Sequence, residues 1–241
     1  MLLGLFVWIE SRVAAPLMPL AILKLRNIWA SNVIGILWAA GMFAFFFLSA
    51  LYLQLVLGYS PLQVGLAFLP ANIIMGAFSL GLSARIVMRF GTRVPIGVGM
   101  ALVSLGLLLF ARAPVDGTFW LDVLPTMIVL GIGVGMAMNP VLIAAMSDVE
   151  PSESGLASGI VNTSFMMGGA LGLAVLASLA AARTASLGGA GLDATAALNG
   201  GYQLAFVIGA VFAAVAAVLG ALLLRPGAAA AAGGKPAAAG H

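Results

Sequence analysis

Side chains that move protons, bind metals or attack carbonyls are scarce in this 241-residue chain and stand far apart. There is no cysteine, which excludes disulfides and thiol chemistry, and the only histidine is the last residue, His241. With His241 the lone histidine, at the end of the tail, neither a Ser/His/Asp relay nor a histidine-held metal is expected. The carboxylates of Asp116, Asp122, Asp148, Glu150 and Glu153 fall between long apolar stretches or at their edges, never deep inside one. The richest constellation is of another kind. Trp38, Met42, Phe45, Ser49 and Tyr52, spaced four, three, four and three, share one helix face. Aromatic area, a thioether and two hydroxyls suit a flat, faintly polar ligand held in several poses better than a sugar or a simple ion. Packing inside a bundle would use the same stripe. Neither an enzyme activity nor a cofactor is expected. Gly131-Ile132-Gly133-Val134-Gly135 has the spacing of a dinucleotide turn but lies inside an apolar span with no strand before it, so close helix packing is its expected role.

The elements that must position these residues are hydrophobic spans. Asp, Glu, Lys and Arg make up 7% of the chain, too few to clothe a water-soluble domain of this length, so lipid is the expected solvent. Six stretches are long enough to cross a bilayer, running from Ser31 to Leu57, Leu62 to Ala84, Val94 to Ala111, Leu121 to Ile143, Gly155 to Ala182 and Leu204 to Leu224. The fold class is therefore an all-α membrane protein. The opening Met1 to Ile9 is too short to span and reads as the end of a truncated helix. A signal peptide is disfavoured, because no Lys or Arg precedes Arg12 and an acid stands at Glu10. The chain divides at 1–30 (helix end and cytoplasmic loop), 31–225 (six spans) and 226–241 (a disordered Ala/Gly/Pro tail).

Charge placement orients the spans. With the first leaving the cytoplasm, Arg12, Lys24, Arg26, Arg85, Arg89, Arg93, Arg225 and Lys235 share one side, and only Arg112 and Arg183 the other. Eight against two predicts that both termini are cytoplasmic in a multi-pass protein of the cytoplasmic membrane. Trp29, Tyr59, Trp120 and Tyr202 fall at predicted span ends, where amphipathic rings favour the headgroup layer. The basic residues are spread over several loops as a rim facing anionic lipid, so the bilayer, not nucleic acid, is the expected partner.

An internal repeat links two spans. Pro61, Gly65, Leu66, Ala67 and Asn72 recur at an offset of 90 residues as Pro151, Gly155, Leu156, Ala157 and Asn162. By the charge topology the two copies enter the membrane from opposite sides. Two three-helix units, about 31–111 and 121–224, would then be related by inversion.

Several local patterns carry a resemblance to a known family. They are Pro16-Leu17-Met18-Pro19-Leu20, then Leu51-Tyr52-Leu53-Gln54 running into Gly58-Tyr59-Ser60-Pro61, and the alternating glycines from Gly131 to Pro140. The most specific runs from Gly155-Leu156-Ala157-Ser158-Gly159 through Asn162-Thr163-Ser164 to Gly168-Gly169-Ala170-Leu171-Gly172. In order and spacing, Phe6 to Arg225 resembles the major facilitator superfamily, and within it the C-terminal half of fourteen-helix drug:proton antiporters. The resemblance implies a six-transmembrane-helix lobe of the major facilitator fold, made of two inverted three-helix repeats. Its implied function is half of a proton-coupled multidrug exporter for hydrophobic or amphipathic compounds, not competent alone; a non-transporting scaffold that keeps the lobe fold is the alternative.

The resemblance also allots roles. The first helix of each unit would line a substrate cavity, giving Trp38, Met42, Phe45, Ser49, Tyr52 and Asn139 that part. The second would meet a missing N-terminal lobe, through Asn72, Gly155, Gly159, Asn162, Thr163, Gly168 and Gly172. The third would face lipid, which agrees with the lack of polar side chains from Leu204 to Leu224 and with Ser104 as the only one from Val94 to Ala111. Asn32, Ser49, Gln54, Asn72, Thr126, Asn139, Asn162 and Thr163, on the other four spans, are expected to turn inward, for helix bonding or for substrate. Arg85, Arg89, Gly91 and Arg93 would form a cytoplasmic gating loop, although Ala84 and Met88 stand where the family shows glycine and aspartate. Phe165 and Met166 replace a basic and an amide residue of many relatives. With no deep acid here, protons would be handled by the other lobe.

Overall fold

The computed structural model describes residues 26–147, 149–150 and 153–223. The expected helix end at Met1 to Ile9 and the tail from Pro226 lie outside them. Six helical elements long and apolar enough to cross a membrane account for almost everything described. The first is α1 (Arg26–Leu51), which ends in a π-helical turn at Tyr52–Val56. The second is α2 (Pro61–Ala77), continued through a π turn at Phe78–Leu82 into α3 (Ser83–Phe90). Then come α4 (Arg93–Phe110), α5 (Leu124–Met146) after a π turn at Phe119–Val123, α6 (Ser154–Gly189) and α7 (Ala194–Leu223).

Local chemistry explains the ends. Ser60 accepts a bond from the Gln63 backbone while the Gln63 side chain accepts one from the Ser60 N–H at 2.8 Å, and Pro61 fills the first turn, so α2 starts on a complete capping box. Gly81, at φ +121°, takes a conformation closed to other residues and bends the second span there.

Three boundaries differ from expectation. The second span does not stop at Ala84: helix continues to Phe90, so Arg85 and Arg89 project from an amphipathic helix, not a loop, with Gly91 as its cap at φ +71° and Arg93 opening α4. The fifth runs past Ala182 to Gly189, where Ala181, Ala182, Arg183, Ala185 and Leu187 favour helix without needing the membrane. The sixth begins at Ala194, not Leu204. Tyr202 is consequently buried inside the bundle rather than standing at a span end.

Packing reproduces the inverted repeat. Helix α1 of the first unit crosses α6 of the second, and α5 of the second crosses α2 of the first; α4 packs on α5, and α7 packs on α1. Exposure follows the same symmetry, repeating residue by residue between 71–78 and 161–168. Because lipid tails offer no hydrophobic drive between helices, close approach and interhelical hydrogen bonds must hold such a bundle. A Cβ on Gly99 would lie 2.7 Å from the Gly133 carbonyl oxygen, and one on Gly133 2.8 Å from that of Gly99, so α4 and α5 touch backbone to backbone. Ser104 Oγ donates to the Ala210 carbonyl at 2.8 Å, joining α4 to α7. At the far end from α3, the turn joining the two units is pinned by Tyr52 Oη on the Pro114 carbonyl (2.7 Å) and by Asn199 and Gln203 on that of Ala113 (3.1 and 3.0 Å).

Candidate functional site

A cavity of about 420 Å³ opens where the start of α1, the end of α5 and the start of α6 converge. Trp38 stands in its wall with Ser31, Asn32 and Gly35 from α1; Met138 and Val141 come from α5, and Asn162, Phe165 and Met166 from α6. The Trp38 and Phe165 rings pack at 5.3 Å between centroids.

Of the six residues expected to line the substrate cavity, only Trp38 borders this one. Phe45 is buried in an aromatic cluster, its ring 5.8 Å from Phe110 and 6.2 Å from Phe68. Ser49 is fully buried and donates to the Phe45 carbonyl at 2.5 Å, satisfied within its own helix. Tyr52 packs on Phe110 at 5.4 Å and is committed to Pro114. Met42 is half-buried against the same core, and Asn139, also half-buried, lies outside the cavity wall. The physical reason is length: from residue 38 to residue 52 a helix rises about 21 Å, so one face of α1 passes from the cavity into the core. The liners that were missed continue the stripe the other way. Ser31, Gly35 and Trp38 are spaced four and three, a signal readable in the sequence.

The proposed lobe-facing residues also divide. Gly168 and Gly172 are internal: a Cβ on Gly168 would stand 2.7 Å from Ile36 Cα, and one on Gly172 would overlap Ala40. Both serve the α1–α6 crossing. Gly155 and Gly159 have nothing within 4 Å of such a Cβ, and Asn72, Asn162 and Thr163 are exposed, not turned inward. Gln54 is exposed too, whereas Thr126 is buried and donates to the Asp122 carbonyl at 3.0 Å.

Exposure is unevenly shared. In the most apolar stretch of the α2–α3 span 22% of residues are buried, and in α6 28%, against 50% in α4 and 33% in α7. The third helix of each unit is thus not the barest, because α4 is packed on both α5 and α7. Its outward stripe is Val94, Val98, Leu105 and Leu108, and that of α7 is Val207, Val211, Val215, Val218 and Leu222, purely aliphatic surfaces of the kind lipid covers. The bare faces of α2 and α6 are mixed: Leu66, Asn72, Ile73 and Gly76 on one, Gly155, Gly159, Asn162, Thr163 and Met166 on the other. Amides and glycines among apolar side chains mark surfaces that meet helices in membranes.

The described carboxylates keep to helix ends. Asp122 precedes α5 and accepts from the Thr118 N–H at 2.7 Å; Glu150 and Glu153 precede α6, and Asp193 precedes α7. Asp148 lies outside the described residues. Arg85 and Arg89 are exposed on α3, as is Arg93 at the start of α4.

Six membrane-length helices in two inverted units, with a cavity bounded by the first helix of each unit and the second helix of the later one, define a transporter lobe. The chain matches the Major Facilitator Superfamily over residues 8–173 and belongs to that family. It is 31% identical to the puromycin resistance protein pur8 of Streptomyces alboniger over 93% of this chain and 46% of that one. It is 33% identical to the cephamycin export protein CmcT of Amycolatopsis lactamdurans over 89% of this chain and 43% of the relative. The multidrug resistance protein Stp of Mycobacterium tuberculosis is 32% identical over 74% of this chain and 33% of its own length. The chain thus spans less than half the length of these relatives.

Proposed function

We propose that the six helices act as the C-terminal lobe of a proton-coupled exporter of hydrophobic or amphipathic compounds, working against an N-terminal lobe that these residues do not include. The bare, mixed faces of α2 and α6 carry the reading. Asn162 on α6 borders the cavity, and Asn72, Gly155, Gly159, Asn162 and Thr163 would meet the opposing lobe as it rocks. The names of the relatives, which speak of resistance and export, favour drugs as cargo. Trp38 is the cavity residue best suited to them. Because the described carboxylates keep to helix ends, the proton would be carried by the other lobe. Arg85, Arg89, Gly91 and Arg93 would close the cytoplasmic end.

Dye efflux from proteoliposomes tests this directly. The chain alone is expected to give no proton-driven efflux, and co-reconstitution with an N-terminal lobe from one of the relatives is expected to restore it. Robust efflux from the chain by itself overturns the reading.

Orientation has its own test in this cysteine-free background. Met88→Cys, on exposed α3, should react with an impermeant maleimide only from the cytoplasmic side, and Val115→Cys only from outside. Labelling of Met88→Cys from outside reverses the topology.

A further inference from the structure

We infer that the cavity wall supplied by this chain selects uncharged amphiphiles bearing a hydrogen-bond acceptor, and that Ser31, Asn32 and Trp38 make the selection. This rests on the export reading above but concerns binding, which can be measured without transport. Among the described residues, Ser31 Oγ, Asn32 Oδ1 and Trp38 Nε1 are buried without a hydrogen-bond partner, and all three residues line the cavity. Ser31 and Trp38 are 1% and 3% exposed, so water does not relieve them. Leaving one such group unpaired costs about 1–3 kcal/mol, and three within two turns of one helix need a common cause. Asn32 spends its amide N–H on the Ile28 carbonyl at 2.9 Å, which leaves its oxygen free to accept.

The chemistry of the three atoms narrows the ligand. An indole N–H only donates, a hydroxyl does either, and the Asn32 oxygen only accepts. A carbonyl, ether or phosphoryl oxygen therefore finds donors in Trp38 and Ser31, and a ligand hydroxyl finds an acceptor in Asn32. Among the described residues that line the cavity, none is ionisable. A cation entering would lose its hydration with no counter-charge from this wall, a cost that an uncharged ligand escapes. The three atoms are themselves covered, so the wall must give slightly for a ligand to reach them. Phe165, resting on Trp38, and Met166, 47% exposed, are placed to yield.

Two probes of similar aromatic bulk separate charge from size: triphenylphosphine oxide, a neutral acceptor, and the cation tetraphenylphosphonium. With the full chain in lipid nanodiscs, equilibrium dialysis against protein-free discs should show saturable binding of the oxide, about tenfold tighter than that of the cation. Trp38→Phe keeps the ring and removes the donor; it should weaken oxide binding by roughly three- to tenfold and leave the cation unchanged. Ser31→Ala should act in the same direction, covering the case in which Trp38→Phe folds poorly, and Asn32→Asp should raise binding of the cation. Equal affinity for the two probes, or oxide binding indifferent to both Trp38→Phe and Ser31→Ala, overturns the inference and leaves the export reading intact. Charge-selective binding without efflux in the two-lobe assay sinks the export reading and leaves this site standing.

Discussion

Valine in place of Gly172 is expected to lower the melting temperature by roughly ten degrees or more, whereas valine at Gly159, on the same helix, should leave stability unchanged. At position 172 the added carbon overlaps Ala40 Cα and Cβ, atoms that cannot rotate aside, so α6 must lift off α1. That crossing is the most extensive helix contact in the bundle, and Gly168 against Ile36 and Gly169 against Phe43 would loosen with it. Overpacking of a rigid site costs about 3 kcal/mol or more, a large part of the roughly 5–15 kcal/mol that hold a domain together. Gly159 meets nothing within 4 Å. Thermal unfolding in detergent, followed by the loss of monodisperse protein on size exclusion, compares the two. A Gly172→Val chain melting within a few degrees of the parent would refute the packing account.

The second large effect separates folding from export. Gly155→Leu combined with Gly159→Leu should fold and insert normally, since both sites are open in the lobe, yet cut export by about tenfold or more once the opposing lobe is present. Val211→Leu combined with Val215→Leu, on the aliphatic stripe of α7, should also fold and insert normally but leave export unchanged. Efflux rates in the two-lobe proteoliposome assay, normalised to inserted protein, read the difference. Comparable export from both double variants would remove this face of α6 from the lobe interface.

The glycines illustrate where sequence reasoning stops. Gly155, Gly159, Gly168 and Gly172 lie on one helix, and their composition alone makes each a site of close approach. Whether that approach is to α1 or to something beyond this chain depends on which way α6 turns at each level, and the crossing with α1 decides it. The α1 stripe fails in the same way. Trp38 and Tyr52 share a face, yet one borders the cavity while the other is tied to Pro114 in the core.

By itself the sequence determined the solvent, the number of spans, the inverted repeat and the family, because each follows from sums or periods of local properties: mean hydropathy, charge along the chain, a fixed offset, an order of motifs. It also showed that cysteine is absent and that the one histidine stands at residue 241. Only the tertiary structure decided that α2 and α6 are the bare helices and that Gly168 and Gly172 are internal. It alone brought Ser31, Asn32 and Trp38 to one cavity wall with three polar atoms unpaired. In a chain apolar on every side, hydropathy does not say which face of a helix is covered. Rotation and crossing are set by where glycines let backbones meet, and that is a property of pairs of helices, not of any one of them.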